Sequence, residues 1–267
     1  MADRFAISFH ETFCLSRPSL AQIIASAKSS GVLDRQFLVD TPLGTNYQKA
    51  MPRYAVRSGL LDGHHRLTEF GRFVVHLDPA LEKSATQWLL HYHLAAPHGP
   101  TAFWHHLVVR RFLAGNTFTA ADLTSDLTEF LRREAGKEPA PRSVRSTVTV
   151  FIGTYLKSDG LKRLGLLEET QQETYRVPAA PLPPLWALGY ALAEYWQAHY
   201  GERLTVNLDD LSGENFAGVF LLGERGFTEL LVQLKQEGMI DLHRTAHPYQ
   251  VVLLQPSSEF ALERLYA

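Results

Sequence analysis

Gly59-Leu60-Leu61-Asp62-Gly63-His64-His65-Arg66-Leu67 is the stretch that decides how this chain folds. Gly59 supplies the left-handed backbone that stops a helix. Leu60 and Leu61 then turn into a core, and Asp62-Gly63 is a strong turn dipeptide. Helix, Gly, two apolar residues and an acid recur at Gly165-Leu166-Leu167-Glu168 and at Gly238-Met239-Ile240-Asp241. A strand follows two of the three, Tyr175-Arg176-Val177 and Tyr249–Leu254. Helix, glycine cap and β-hairpin predict a winged helix-turn-helix unit. The spacings of 106 and 73 residues exclude a tandem solenoid. The expected fold is therefore mainly α with short β-hairpins: several winged helix-turn-helix units joined by a helical middle region.

Around these anchors, the first unit spans residues 1–78. Phe5–Phe13 alternates loosely and predicts a short strand. Pro18 suits a first helical turn, Leu20, Ile23, Ile24 and Ala27 follow at helical spacing, and Gly31 ends that helix. A second helix is predicted from Thr45 to Ser58, capped by Thr45 or Asn46 and kinked or delayed by Pro52. Thr68 caps a third through Phe70, Phe73 and Val74. The unit 79–180 is helical over Ala85–Ala95, Thr101–Leu113, Ala120–Ala135 and Ser143–Leu156, and ends in the second hairpin. Prolines 178, 181, 183 and 184 make 179–184 a stiff connector. The unit 181–267 holds helices over Leu185–His199, Gly226–Gln236 and Ser258–Leu265, with the third hairpin between the last two.

The 267 residues carry 26 Lys plus Arg and 28 Asp plus Glu, a net charge of -2, which excludes a histone-like polycation. Residues 1–160 hold 18 basic and 14 acidic side chains; residues 161–267 hold 8 and 14. A polyanion is expected to prefer the first part and a protein partner the second. Cys14 is the one cysteine, so an intrachain disulfide and a Cys-based zinc site are excluded. No basic head followed by an apolar run is present, nor any span of the ~18–20 apolar residues that crosses a bilayer. A reducing, cytoplasmic setting without membrane partners is expected.

Lys49, Arg53 and Arg57 fall at i, i+4 and i+8, which predicts one basic helical face. Asn46, Tyr47 and Gln48 precede them and can donate to phosphates or base edges. His64, His65 and Arg66 occupy the turn where a wing meets a nucleic-acid backbone. A second basic set comprises Arg132, Arg133, Lys137, Arg142 and Arg145, diluted by Glu134 and Glu138; Arg110-Arg111 is a third. The last unit's helix mixes Glu224, Glu229 and Glu237 with Arg225 and Lys235, a composition suited to protein contact. His91, His93, His98, His105 and His106 crowd two helices near Glu82, but His-x-His points to different helical faces. They are expected to pack by hydrogen bonding rather than to ligate metal. Phosphate-binding, dinucleotide, serine-hydrolase and zincin motifs are absent from the sequence. Cys14, between Phe13 and Leu15, reads as a small hydrophobe, and Asp209-Asp210 as a helix start.

The series Phe9-His10-Glu11-Thr12-Phe13, Leu43-Gly44, Arg53-Tyr54, Leu67-Thr68-x-x-Gly71, Asp78-Pro79-x-Leu81-Glu82 and Thr86-x-Trp88-Leu89-Leu90-His91 resembles a bacterial phage-defence family associated with DNA phosphorothioation islands. The match is carried by residues 5–115. The layout is also similar, architecturally, to winged-helix accessory proteins of bacteriophage-exclusion systems. The resemblance implies a DNA-directed role in host defence and supplies no catalytic residue or cofactor. Where relatives approach the second helix through a Gly/Lys/Asn-rich stretch, this chain has Thr45-Asn46-Tyr47-Gln48-Lys49. A His10–Glu11 hydrogen bond is expected to anchor the N-terminal segment.

The expected function is a non-enzymatic DNA-binding accessory subunit of a bacterial anti-phage system acting with DNA modification or restriction. Its partners would be double-stranded DNA and other subunits of a defence complex. The DNA-contacting set is Asn46, Tyr47, Gln48, Lys49, Arg53, Arg57, His64, His65, Arg66, Arg142 and Arg145. The alternatives are a protein–protein adaptor that docks a defence enzyme through the acidic C-terminal unit, a winged-helix transcriptional regulator, and a metal-dependent nuclease using the His-rich helices.

Overall fold

The structure, a computed structural model, describes residues 4–34, 36, 44–136, 138–179, 181–245 and 247–267. Lys137, Leu43, Ala180 of the connector and Ala246 of the last hairpin turn lie outside the described residues, as does the N-terminus through Asp3.

Ten α-helices are described. They are α1 (Arg17–Ala27), α2 (Thr45–Arg57), α3 (Glu69–Leu77), α4 (Ser84–Ala95), α5 (Ala102–Arg111), α6 (Ala120–Ala135), α7 (Pro141–Leu156), α8 (Leu185–Tyr200), α9 (Glu224–Gln236) and α10 (Ser258–Tyr266). Six strands join them: β1 (Thr117–Thr119), β2 (Glu168–Gln171), β3 (Thr174–Arg176), β4 (Thr205–Asn207), β5 (Ile240–His243) and β6 (Gln250–Leu253). The chain is thus mainly helical, with two small antiparallel sheets ordered β1-β3-β2 and β4-β6-β5.

Both sheets put their last strand in the centre. Phe118 faces Tyr175 and Val206 faces Val251 across the pairs. The first hairpin is reduced to isolated bridges, Leu61 to Leu67 and Val32 to Arg66, in which the returning segment again pairs on both sides.

Local chemistry explains several helix ends. Thr119 and Asp122 form a capping box on α6, and Gly136 ends that helix at φ 63°. The Thr68 hydroxyl accepts from Gly71 N at 2.9 Å at the start of α3. Gly71 is obligatory there, because a Cβ would lie 2.1 Å from the Leu60 carbonyl oxygen. Gly59, at φ 78°, leaves room for the His93 ring, which a Cβ would meet at 2.3 Å.

Several expectations are corrected. Residues 5–13 form turns and irregular backbone rather than a strand, because Phe9 and Phe13 pack against α2 and Phe5 against Phe130 of α6 instead of pairing with a sheet. Gly44, not Thr45 or Asn46, is the N-cap of α2, and that helix continues through Pro52. Gly165 closes a short 3-10 turn, Lys162–Leu164, since α7 has already stopped at Leu156. The apolar pairs after all three glycines are buried as expected: Leu60 with Leu61, Leu166 with Leu167, and Met239 with Ile240.

A buried polar node ties distant segments together. Trp104 Nε1 donates to the Tyr155 hydroxyl at 2.8 Å, and that hydroxyl lies 2.9 Å from His91 Nδ1. His91 Nε2 lies 2.7 Å from the Val219 carbonyl. A neutral ring protonated on Nε2 satisfies all three contacts. Arg17, buried, pairs with Glu82 at 2.7 Å and donates to the carbonyls of Gly160, Leu81 and Ser158, joining α1 to the segment after α7. At the far end, Ser258 donates to Glu69 at 2.9 Å and Tyr266 meets Thr86 at 2.7 Å, so α10 closes against α3 and α4.

Candidate nucleic-acid interface

The basic face expected on α2 does not exist as one solvent ridge. Asn46, Lys49 and Arg53 are exposed, and Tyr47 and Gln48 are half-buried. Arg57 is buried, 7% exposed, with its guanidinium 4.3 Å from the Phe9 ring centroid. Its Nε has no hydrogen-bond partner, and it has no carboxylate partner among the described residues. Burial and the nearby Arg53 charge push its pKa down. The cause is the N-terminal segment, which lies across the C-terminal half of α2. Phe9 packs edge-on to Tyr54, and the Tyr54 hydroxyl donates to the Phe13 carbonyl at 2.9 Å.

The same segment neutralises Arg53, whose Nη1 donates to Glu11 Oε1 at 2.7 Å. The expected His10–Glu11 hydrogen bond is replaced by one long-range contact and one local one. His10 Nε2 lies 3.0 Å from Thr147 Oγ1 on α7, and Thr12 N donates to His10 Nδ1 at 3.0 Å. Burial lowers the His10 pKa to about 4, so the ring is neutral near pH 7. Glu11 and Thr12 sit at φ 46° and 74°, a left-handed pair without glycine.

The first turn is equally self-contained. Asp62 Oδ1 accepts from His64 N and Arg66 N, at 2.8 and 2.9 Å, and Oδ2 pairs with Arg66 at 2.8 Å. His64 is exposed and His65 half-buried at φ 62°.

On α7 the result differs. Arg142 and Arg145 are exposed, one turn apart, with no acidic partner among the described residues. Their neighbours Arg132 and Arg133 are held by Glu138 and Glu134, at 2.7 and 2.8 Å. Arg110 reaches Glu214 at 3.6 Å, and Arg111 pairs with Asp126. In the last unit Arg225 pairs with Glu229 at 2.8 Å and Lys235 with Asp241 at 2.6 Å.

A cavity of about 200 Å³ joins the two helices. Asn46 of α2, Arg142, Ser143 and Ser146 of α7, and residues 8 and 10–12 line it. Sequence reasoning placed Asn46 and Arg142 in separate units and gave no signal that they meet. It also missed Glu11 as the anion on Arg53. The Asp62–Arg66 pair was detectable, since opposite charges four residues apart commonly interact.

The His-rich helices make packing contacts. His93 Nε2 lies 3.0 Å from the Tyr190 hydroxyl, His105 Nδ1 lies 2.8 Å from the Ala95 carbonyl, and His106 stacks on Phe130 at 4.3 Å. His98 packs edge-on to His199, with its buried Nδ1 lacking a hydrogen-bond partner among the described residues. Among the described residues no group of three His, Cys, Asp or Glu is placed to hold a metal ion. Likewise, none of the described helices is long and apolar enough to cross a membrane.

The family described as "Protein of unknown function (DUF4007)" matches residues 7–266. The chain belongs to the DUF4007 family. A comparison with curated proteins finds no match. Among solved structures, this DUF4007 chain is similar to a magnesium ion-bound SspB crystal structure, with a TM-score of 0.78 at 20% identity. A second SspB crystal structure gives a TM-score of 0.76 at 20% identity. Each alignment covers 97% of this chain and 87% of the other. At that identity the shared property is the fold, and the DUF4007 fold is what aligns along almost the whole chain.

Proposed function

We propose that this DUF4007 protein is a DNA-binding accessory component of a phosphorothioation-linked bacterial defence system, and that it holds duplex DNA through the exposed start of α7. The observation that carries the reading is the pair Arg142 and Arg145, exposed, one turn apart and without an acidic partner among the described residues, at the N-terminal end of a helix followed by a hairpin. Unpaired guanidinium groups neutralise phosphates and release counterions, which is the main source of non-specific affinity for DNA. Support for the defence setting comes from the family membership, the fold shared with SspB, and the resemblance to phosphorothioation-island proteins.

The three helix–hairpin segments are read as winged-helix units, because each returns its last strand to the middle of its pairing. In that reading α7 is the recognition helix of the middle unit, and the acidic last unit contacts another subunit of the complex.

The test is a gel shift on plain and phosphorothioated duplexes across several salt concentrations, with wild type and the Arg142→Ala/Arg145→Ala double variant. The reading expects salt-dependent binding that the double variant loses. Equal binding by a folded double variant sinks it.

A second reading, a metal-dependent nuclease, is favoured by the magnesium ion named for one similar structure. Incubating supercoiled plasmid with the protein in magnesium distinguishes it, since an accessory binder leaves the plasmid intact and a nuclease nicks or linearises it.

A further inference from the structure

We propose that the cavity between residues 8–12 and the first turns of α2 and α7 seats one backbone phosphate of nucleic acid. The inference rests on the duplex-binding reading and adds to it a defined subsite. At about 200 Å³, the cavity is smaller than the roughly 300 Å³ at which drug-sized ligand pockets begin. That is room for a phosphodiester group rather than a whole nucleotide.

Its chemistry is that of a donor cradle. Arg142 brings a guanidinium with no acid partner among the described residues, Asn46 an amide, and Thr12, Ser143 and Ser146 hydroxyls. Glu11 also lines the cavity, but its carboxylate is engaged by Arg53 at 2.7 Å, which cancels its charge locally. His10 closes the wall with both ring nitrogens already in contact with Thr147 and Thr12. With Arg53 included, the surroundings carry a net positive charge. Three other cavities among the described residues do not. One of about 460 Å³ contains Glu134 and Glu138 without a cation, and one of about 210 Å³ sets Arg110 and Arg133 against Asp126, Glu129 and Glu214. The groove of about 750 Å³ balances Arg132 and Arg145 with Glu129 and Glu173. Arginine and hydroxyl donors converging on one small concavity are the recurring means of holding a phosphate oxygen.

The decisive variants are neutral, so that a change in salt dependence cannot come from a removed charge. Ser146→Leu fills the cavity from α7, and Asn46→Leu narrows it from the exposed first turn of α2. Ser125→Leu, on the large groove, is the control. Binding of a fluorescent duplex is followed by polarisation across salt, and each variant's fold is checked by melting. Ser146→Leu and Asn46→Leu are each expected to bind about tenfold more weakly, the effect of one charge-assisted contact. The slope of log affinity against log salt should fall by roughly 0.9 in each, one phosphate fewer. Ser125→Leu should match wild type. If Ser146→Leu does not fold, Asn46→Leu decides alone. Wild-type affinity and slope in the folded cavity variants overturn the subsite, while the duplex reading stands if the Arg142/Arg145 variant still binds poorly. Absence of duplex binding by wild type overturns both.

Discussion

The helices α2 and α7 carry the same sequence signal, clustered cations before a glycine and a hairpin, yet they present different surfaces. On α2, Arg53 is paired with Glu11 and Arg57 is buried beneath Phe9, leaving Lys49 as an exposed cation with no partner among the described residues. On α7, Arg142 and Arg145 are exposed and have no acidic partner among the described residues. The difference lies in the N-terminal segment, which folds over the second half of α2 and pairs with Arg53 there, while on α7 it hydrogen-bonds at Thr147 and leaves Arg142 and Arg145 exposed. A count of basic residues therefore overstates the charge that a polyanion meets. What it meets is the set left over after internal carboxylates and aromatic rings have taken their share.

The largest expected effect tests this contrast directly. Replacing Arg142 and Arg145 together by Ala should weaken duplex binding about 100-fold, two phosphate contacts at about tenfold each. Arg53→Ala should weaken it less, because it removes no free cation and acts only by leaving the Glu11 carboxylate uncompensated at the cavity wall. Reversal of that order in a gel shift would show that α2 is the reader.

Next in size is an acid effect on the tie between the two helices. His10 has a folded pKa of about 4, below its ordinary 6.5, because burial disfavours the charged ring. The unfolded chain therefore binds the proton more readily between these values. The stability from neutral His10 is fully present above about pH 6.5 and is lost as pH falls towards 4. By pH 5 the loss is on the order of 2 kcal/mol. His91 and His93, lowered by burial to about 4 and about 3, act in the same direction. Melting temperatures at pH 7.5, 6 and 5 should fall in that order, and His10→Gln should flatten the trend. A profile unchanged by that substitution would remove His10 from the account.

Releasing Arg53 should have a smaller, opposite effect. Glu11→Gln is expected to tighten duplex binding several-fold and to steepen the salt slope by about 0.9, as α2 gains a free cation. No change would mean that α2 does not face the DNA. The smallest effect concerns Arg57. A buried charge with no carboxylate partner among the described residues is costly, so Arg57→Met should raise stability by about 1 kcal/mol, or a few degrees in Tm, without altering DNA affinity. A loss of binding would show that Arg57 is reached by the ligand after all.

Much of the backbone plan was legible because it is written in local terms. Thr68 caps the helix it was expected to cap, and Gly59, Gly165 and Gly238 all take left-handed backbone ahead of buried apolar pairs. Such signals act within a few residues, where chain connectivity guarantees the encounter. The failures have the opposite character. The alternation in Phe5–Phe13 satisfies a strand pattern equally well as a row of aromatic contacts to another helix, and periodicity cannot choose between them. Lys49, Arg53 and Arg57 at helical spacing are neighbours on an isolated helix, but the spacing says nothing about which neighbouring segment covers them.

The sequence by itself determined where helices begin and stop, where hairpins turn, and that the first part of the chain is the more basic. Those properties follow from capping, glycine conformations and composition, all local or additive. Only the tertiary structure decided which cations stand in water. Glu11 lies 42 residues from Arg53 in the chain, and His10 lies 137 from Thr147. Whether a charge is free depends on such distant partners, since pairing and burial are set by packing and not by the residue's own neighbours in sequence.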